Sequence, residues 1–490
     1  MSNYTLSTFS GATPTVQSLF MDNLGNAIAG STTGLYYSSN YGQTWTQSSQ
    51  PSGTFGSVFM DQSVNAIAAG NNTSNNGLWY SSNNGKNWTR SNYTNSGFNV
   101  YMAQNGNAIA GNINNLGMWY SQNYGQNWIQ SNLKNRSFYA VFMNNLGNAI
   151  AGSNTAGLYY SSNYGQSWIP SDKTSGFFYS VFMDQNGNAI AGGYNNNGIW
   201  YSSDYGKTWT LKLSGTFISV FMDQNGNAIA GCNNNGIYYS QNYGQNWIQS
   251  NQIIGSFYAI FMDQNGNAIA GRYGGLYYSS DYGHTWNLTN VTTTVNTVFM
   301  TRIGNQLNRL SGGDQTYYFT ELVCFKEDTK ILTDKGYVAI QSLKRGDLVK
   351  TLNDFIPIHA IAKREIFHPA TQYRDKDQLY KCSSDHFQVF EDLVITGCHS
   401  ILVDEFKEGE REKTIEINGD AYVTEKKYRL PACVDARTTV YETPGTYTIY
   451  HFALENDDIY NNYGVYANGL LVETCCIRNL MELSNMDLIE

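Results

Sequence analysis

Between residues 15 and 320 one pattern recurs: VFMDQNGNAIAG, a polar loop, then GLYYSSNYGQTW. Its tryptophans fall at Trp45, Trp88, Trp128, Trp168, Trp209, Trp247 and Trp286, 38–43 residues apart. A period of this length marks a supersecondary unit that buries its apolar face only by stacking on the next unit. Each unit divides into four short runs separated by Gly/Asn turns. The first is VFM, the second NAIAG, the third LYYSS, and the fourth begins at the Trp. Short strands at this spacing, four to a unit, read as the blades of a β-propeller.

Strands three and four of each unit are joined by S-x-N/D-x-G-x-x-W. The acceptor position holds Asn40, Asn83, Asn123, Asn163, Asp204, Asn242 and Asp281. Such a side chain bonds backbone N–H groups two residues on, and Gly42 and its counterparts supply positive φ. The Trp is expected to plug the space between turn and blade. This motif resembles the Asp-box (BNR) repeat of sialidase-like propellers, where its role is structural. Sialidases of that type clamp the substrate carboxylate with three arginines. Residues 1–300 hold only Arg90, Arg136 and Arg272, each in a different local context, and no Glu. The resemblance therefore does not extend to glycosidase chemistry. A surface rich in Tyr, Asn, Ser and Gly has the composition of adaptable recognition surfaces. A glycan or protein ligand is one expectation for the propeller, and a rigid polar spacer is the other.

The blade count follows from the strands. An eighth first strand appears at Val298–Met300, followed by GNQLNRLSG and a third strand at Thr316–Thr320. That last unit lacks a fourth strand. The N-terminal YTLSTF supplies it, because Leu6 precedes Phe20 by the same interval as Trp45 precedes Phe59. The expected fold is all-β, with eight blades closed by both ends of residues 1–323, which removes free sheet edges. The alternative is seven blades with an irregular tail.

Charge and cysteine divide the chain at the same place. Residues 1–300 carry eight Lys/Arg and eight Asp/Glu, so the net charge of −9 belongs to the remainder. No basic patch marks a nucleic-acid partner. Only Cys232 of the seven cysteines lies before residue 300, which is no disulfide framework. The opening MSNYTLSTFSGATP has neither a basic start nor an apolar run, so no signal peptide is expected, and no apolar stretch is long enough to span a membrane. An intracellular, reducing setting is the expectation. Nothing in the sequence fixes an oligomeric state.

From residue 321 the repeat stops. The new segment opens CFKEDTKILTDKGYVAIQSLKRGDLVKT, from Cys324 to Thr351. A second block, LVITGCHSILVD, contains T-x-x-H as Thr396 and His399. A third reads TIYHFALEN, Thr448 to Asn456, and then YGVYANGLLVETC, Tyr463 to Cys475. In this order the blocks resemble the Hint superfamily of inteins and hedgehog C-terminal domains. The I-x-x-L-x-x-GD-x-V element is Ile340, Leu343, Gly346, Asp347 and Val349. The ANG-x-x-V element includes Asn468 and Val472. The resemblance implies an all-β Hint domain over residues 324–475, with no room between His399 and Thr448 for an inserted endonuclease. It also implies roles. Cys324 attacks the carbonyl of Val323, so Val323–Cys324 is the scissile bond, and a thioester forms without bimolecular cost. His399 protonates the departing amine, and Thr396 holds the scissile peptide. Cys324 follows Tyr318 of the last propeller strand by six residues, so cleavage releases a complete propeller.

The sequence departs from the family at Glu473, Thr474 and His451. Inteins end in His-Asn, but Glu473 and Thr474 stand there, and Thr cannot cyclise. Splicing is therefore not expected, and the arrangement is nearer to hedgehog-type or cleaving-only domains. Cys475 stands where the next nucleophile would be, and His451 replaces an Asp, which makes His451, Asn468 and Cys475 auxiliary candidates. No sterol-binding extension follows. In the tail from Cys476, Ile477, Leu480, Met481 and Leu483 have near-helical spacing and predict a short packing helix over part of 476–490. Cys382, His386, Cys398 and His399 fit no standard ligand spacing, so neither a metal nor another cofactor is expected. An Asn/Tyr-rich, Pro-poor composition joined to these two domains resembles proteins of giant DNA viruses, which would place the propeller in or on a virion. The alternative reading is a structural or binding protein whose Hint domain no longer reacts.

Overall fold

The computed structural model describes residues 4–71, 76–95, 97–251, 254–303, 306–320, 323–368, 370, 374, 378–418, 421–483 and 486–489. The chain forms two compact units, one of Tyr4–Ile303 with Asn308–Phe319, the other mainly of Thr320–Glu490.

The first unit is a propeller of eight sheets, antiparallel except that the short strand Thr8–Phe9 joins the first blade in parallel. Its innermost strands are Val16–Met21, Phe55–Met60, Phe98–Met102, Phe138–Met143, Phe177–Met183, Phe217–Met222, Phe257–Met262 and Val295–Ile303. The eighth sheet is completed by the N-terminal strand, with Thr5 opposite Tyr318 and Leu6 opposite Tyr317. The seven-blade alternative is thereby excluded. Closure is visible in side chains as well. Phe20, Phe59, Tyr101, Phe142, Phe182, Phe221, Phe261 and Phe299 form one unbroken circle of tilted rings, with neighbouring centroids 4.3–4.9 Å apart. Aromatic pairs at this spacing favour tilted or edge contacts over face-to-face stacking.

The second strands Ala27–Ser31 and Ala66–Gly70 are buried along their whole length. Their small residues let blades approach: a Cβ on Gly30 would lie 2.8 Å from the Phe55 carbonyl of the next blade. The Asp-box turns work differently from the sequence expectation. Asn40 accepts the N–H of Thr44, four residues on rather than two, at 3.0 Å. Ser38 Oγ takes the nearer N–H groups, of Asn40 at 3.3 Å and Gly42 at 3.0 Å, and donates to Asn40 Oδ1. The same four-residue bond recurs at Asn83, Asn123, Asn163, Asp204, Asn242 and Asp281. The Gly of the turn serves two purposes. Gly85 has φ +75°, and a Cβ there would lie 2.5 Å from Ile28 of the preceding blade. Trp88 packs in the core shared with Ile28 and Leu35 of that blade, so the tryptophan seals the seam between blades as well as the turn.

The second unit is nearly all β. Its spine is the long strand Phe355–His368, paired antiparallel with Gly445–Leu454. Ile340, Leu343 and Val349 of the first block are buried in its core beside Phe325, Ile401 and Val472. Among the described residues an α-helix, Glu410–Asn418, interrupts the strands and was not expected from the sequence. The tail is helical over residues 477–483, where the Leu480 N–H bonds the Cys476 carbonyl at 3.1 Å. Asn479–Leu483 makes a single π-helical turn with Leu480 buried and Met481 exposed, and Asp487–Ile489 is then a strand on Ile361–Lys363.

Candidate functional site

Cys324 is placed by the two-residue strand Phe325–Lys326 that follows it. Phe325 pairs with Ile395 on one side and Tyr450 on the other, so the first block lies between the second and third. Leu393–Thr396 ends in a tight turn closed by the His399 N–H on the Thr396 carbonyl at 3.0 Å. The x-x of T-x-x-H is this turn, and it brings both side chains onto Cys324.

Three contacts define the centre. The Cys324 amide, which is the nitrogen of the expected scissile bond, donates to Thr396 Oγ1 at 2.9 Å. The Thr396 N–H donates to the Cys324 carbonyl at 3.0 Å. His399 Nδ1 lies 3.1 Å from that same carbonyl, and Nε2 lies 3.0 Å from the carbonyl of Glu473. Thr396 thus holds the peptide nitrogen itself, whereas the imidazole contacts the far side of the same residue. With two carbonyl acceptors, only the doubly protonated ring satisfies both contacts, whichever tautomer the neutral ring takes. Burial pulls the His399 pKa below its ordinary value, while nearby Glu473 and the two carbonyls oppose this. The Cys324 thiol is fully buried, and burial pushes its pKa far up.

The auxiliary candidates occupy different places. His451 is buried, with its ring 5.5 Å from that of His399 and 5.5 Å from Phe325. Cys475 lies in the same apolar cluster as Cys324 and bridges to Ala453. Asn468 does not contact the nucleophile among the described bonds. Its φ is +48° and that of Gly469 is +95°, the left-handed pair that tight hairpin turns require. Its side chain accepts from Lys330 N at 2.6 Å and donates to the Asp392 carbonyl at 3.0 Å, holding the hairpin of Gly464–Ala467 and Leu470–Glu473 in register. Val323 is half-buried. Thr474 is tied to Tyr463 by its own N–H at 2.7 Å and by its hydroxyl, which accepts the Tyr463 N–H at 2.9 Å.

Two arginines that sequence reasoning passed over support this centre. Arg374 donates to the carbonyls of Ala432, Cys433, Asp435 and Thr438 at 2.7–2.9 Å. That loop in turn bonds the T-x-x-H turn, through Ala432 N to the His399 carbonyl and Cys433 N to the Gly397 carbonyl. Arg429 pairs with the largely buried Glu473 carboxylate at 3.2 Å, steadying the residue whose carbonyl faces His399. Neither stands in a recognisable block, so only three-dimensional contact could reveal them. Among the described residues, no group of three His, Cys, Asp or Glu side chains is arranged to hold a metal ion.

Comparison with known proteins places both parts. A Hint domain family model matches residues 323–479, and a BNR-Asp box repeat model matches residues 199–211. No curated protein matches the chain. Among solved structures, the chain is similar to Sqt1 of Saccharomyces cerevisiae, at 11% identity and TM-score 0.53 over 65% of this chain and 99% of that one. It is equally similar to the computationally designed Ika8 protein, at 9% identity and TM-score 0.53, with the same two coverages. At these identities the likeness speaks for the fold alone. The chain joins an eight-bladed propeller with BNR-Asp box repeats to a Hint domain.

Proposed function

We propose that the chain processes itself: its Hint domain breaks the Val323–Cys324 bond and cleaves or transfers the propeller. Cys324 Sγ attacks the Val323 carbonyl carbon, a C–S bond forms, and the bond from that carbon to Cys324 N breaks. The proton lost by the thiol balances the one gained by the amine, with His399 as the acid that delivers it. The observation that carries this reading is the 2.9 Å bond from the Cys324 amide to Thr396 Oγ1, which holds the hydroxyl of the T-x-x-H turn on the atom that must leave. Thr474 offers no cyclisation, so the thioester is resolved by water or an outside nucleophile, with Cys475 as an internal alternative.

The experiment is intact-mass measurement of freshly expressed protein with and without hydroxylamine. Fragments 1–323 and 324–490 are expected, lost in Cys324→Ala and slowed roughly 10²–10⁴-fold in His399→Ala. No ligated product and no cut after Thr474 should appear. A second reading, a Hint domain kept as an inert scaffold, is favoured by one observation: the thiol is wholly buried, and burial disfavours its reactive thiolate. A wild-type chain that stays whole for days in hydroxylamine decides for it.

The propeller is the binding or structural module that this reaction frees. Support for binding comes from four rings gathered at the start of two innermost strands and the end of one second strand, Tyr139, Phe177 and Tyr179 with Tyr194, with centroids 4.6–5.5 Å apart. Tyr179 is exposed, and the preceding loops carry Lys134, Arg136 and Lys173. A glycan or protein ligand fits such a surface, and a glycan array with a pull-down tests it. Two blank results leave the spacer reading. An intracellular or virion-associated setting belongs to the same proposal; no helix among the described residues is long and apolar enough to cross a membrane.

A further inference from the structure

One side chain from far along the chain covers the Cys324 sulfur. Cys324 Sγ lies 3.7 Å from Met486 Sδ, and both residues are buried. Met486 directly precedes the strand Asp487–Ile489, whose partners on the long spine strand are Ile361 for Ile489, Ala362 for Leu488 and Lys363 for Asp487. Ala362 belongs to the same apolar cluster as Cys324 and Met486, so the short strand sets the methionine over the sulfur through its own register.

The walls of that cluster differ in how firmly they are held. Ala362, Ile449 and Ala453 belong to the two long strands of the spine, and Leu379 and Val394 to a four-residue hairpin pair. The terminal strand is held by three residue pairs, and Asp487 and Leu488 are exposed. Segments with few buried contacts open locally at far lower free energy than core strands. Methionine suits a removable cover, being unbranched and adaptable in shape.

We propose that Met486 controls access to this site, a stopper that decides whether outside reagents reach Cys324 Sγ and an acyl carbon bonded to it. With Met486 in place, water and outside reagents are excluded from the sulfur. When Asp487–Ile489 peels from Ile361–Lys363, the sulfur is opened. The consequence for a thioester on Cys324 rests on the function proposed above: the acyl group would wait, protected from hydrolysis, until the terminal strand is displaced. The cover itself does not depend on that reaction.

The test reads access to the sulfur directly in the full chain. A short iodoacetamide pulse is followed by peptide mass spectrometry of alkylated Cys324, with the partly exposed Cys398 as internal reference. In wild type, Cys324 is expected to label slowly. In Met486→Ala, its labelling relative to Cys398 is expected to rise roughly tenfold or more, the scale of a small change in local opening. Leu488→Pro reaches the same readout by another route, because it keeps the methionine and disrupts the strand at an exposed position. Unchanged Cys324 labelling in both variants overturns the proposal. Hydroxylamine cleavage, measured alongside, is expected to accelerate in both variants. If no variant cleaves while labelling still rises, the processing reading fails and the stopper stands.

Discussion

His451 has the surroundings least suited to its chemistry. It is buried, and neither Nδ1 nor Nε2 finds a hydrogen-bond partner among the described residues. Burial, with His399 nearby, holds its pKa well below the ordinary 6.5. His399 is shifted the same way, burial again being the larger cause. In both cases the unfolded chain binds a proton at a pH where the folded one does not. Stability is therefore fully present above about pH 6.5 and is lost progressively as pH falls from there toward the folded-state values. His451→Phe removes one such ring and leaves an apolar side chain of similar shape, a change that is close to neutral when the lost polar group had no partner. The expected outcome is a melting temperature at pH 7.5 equal to or above that of wild type, and a smaller loss between pH 6.5 and 5. Scanning calorimetry across that range checks it. A variant that loses as much on acidification as wild type would show that His451 does not contribute to the pH dependence.

At the scale of the element, the blades show how one substitution is absorbed by another. In six blades a Gly in the turn after the innermost strand lies under a Tyr of the Asp-box turn: Gly25 under Tyr41, Gly106 under Tyr124, and so on, with a Cβ at the Gly only 2.4–2.8 Å from the ring. The second blade changes both partners, to Val64 and Asn84, and keeps the backbone bond between them, Asn84 N to the Val64 carbonyl at 2.8 Å. Asn84→Tyr alone forces the ring onto the Val64 side chain, and overpacking of this kind costs about 1–3 kcal/mol. Val64→Gly with Asn84→Tyr rebuilds the pair found elsewhere and should recover that loss. The two changes are expected to couple strongly in a double-mutant cycle measured by chemical denaturation. Additive effects would mean that ring and glycine do not depend on each other.

Across the whole molecule, what the sequence disclosed was what repeats or what is local. The period of the tryptophans, the spacing of Leu6 to Phe20 and the T-x-x-H turn each live within a few dozen residues or recur many times. What stayed hidden depends on single long-range contacts: Arg374 beneath the loop at Ala432–Thr438, Met486 on Cys324, and the strand Asp487–Ile489 on Ile361–Lys363. Apolar spacing over a short tail fits either a helical turn or a strand, and only the partner decides. The N-terminal strand is the long-range contact that was legible, because a missing fourth strand must come from somewhere. It binds three blades at once. Thr5–Leu6 pairs with Tyr317–Tyr318, Tyr4 exchanges bonds of 2.7 and 2.8 Å with Asn290, and Thr8–Phe9 runs parallel to Thr44–Trp45 with Phe9 stacked on the Trp45 ring. Ser7 adds its N–H to the Thr316 carbonyl and its hydroxyl to the Gly42 carbonyl. Removing residues 1–10 exposes a strand edge in the eighth blade and uncovers the Trp45 turn in the first, so the seam between these two blades loses its closing strand. The cost is expected to reach several kcal/mol, a large part of the total stability of a folded domain. Every one of these partners lies before residue 323, so fragment 1–323 should melt as the propeller does in the full chain, and the fragment lacking residues 1–10 well below it. Circular dichroism melts of the two fragments test this. Equal melting temperatures would mean that the other seven blades hold the ring without its closing strand.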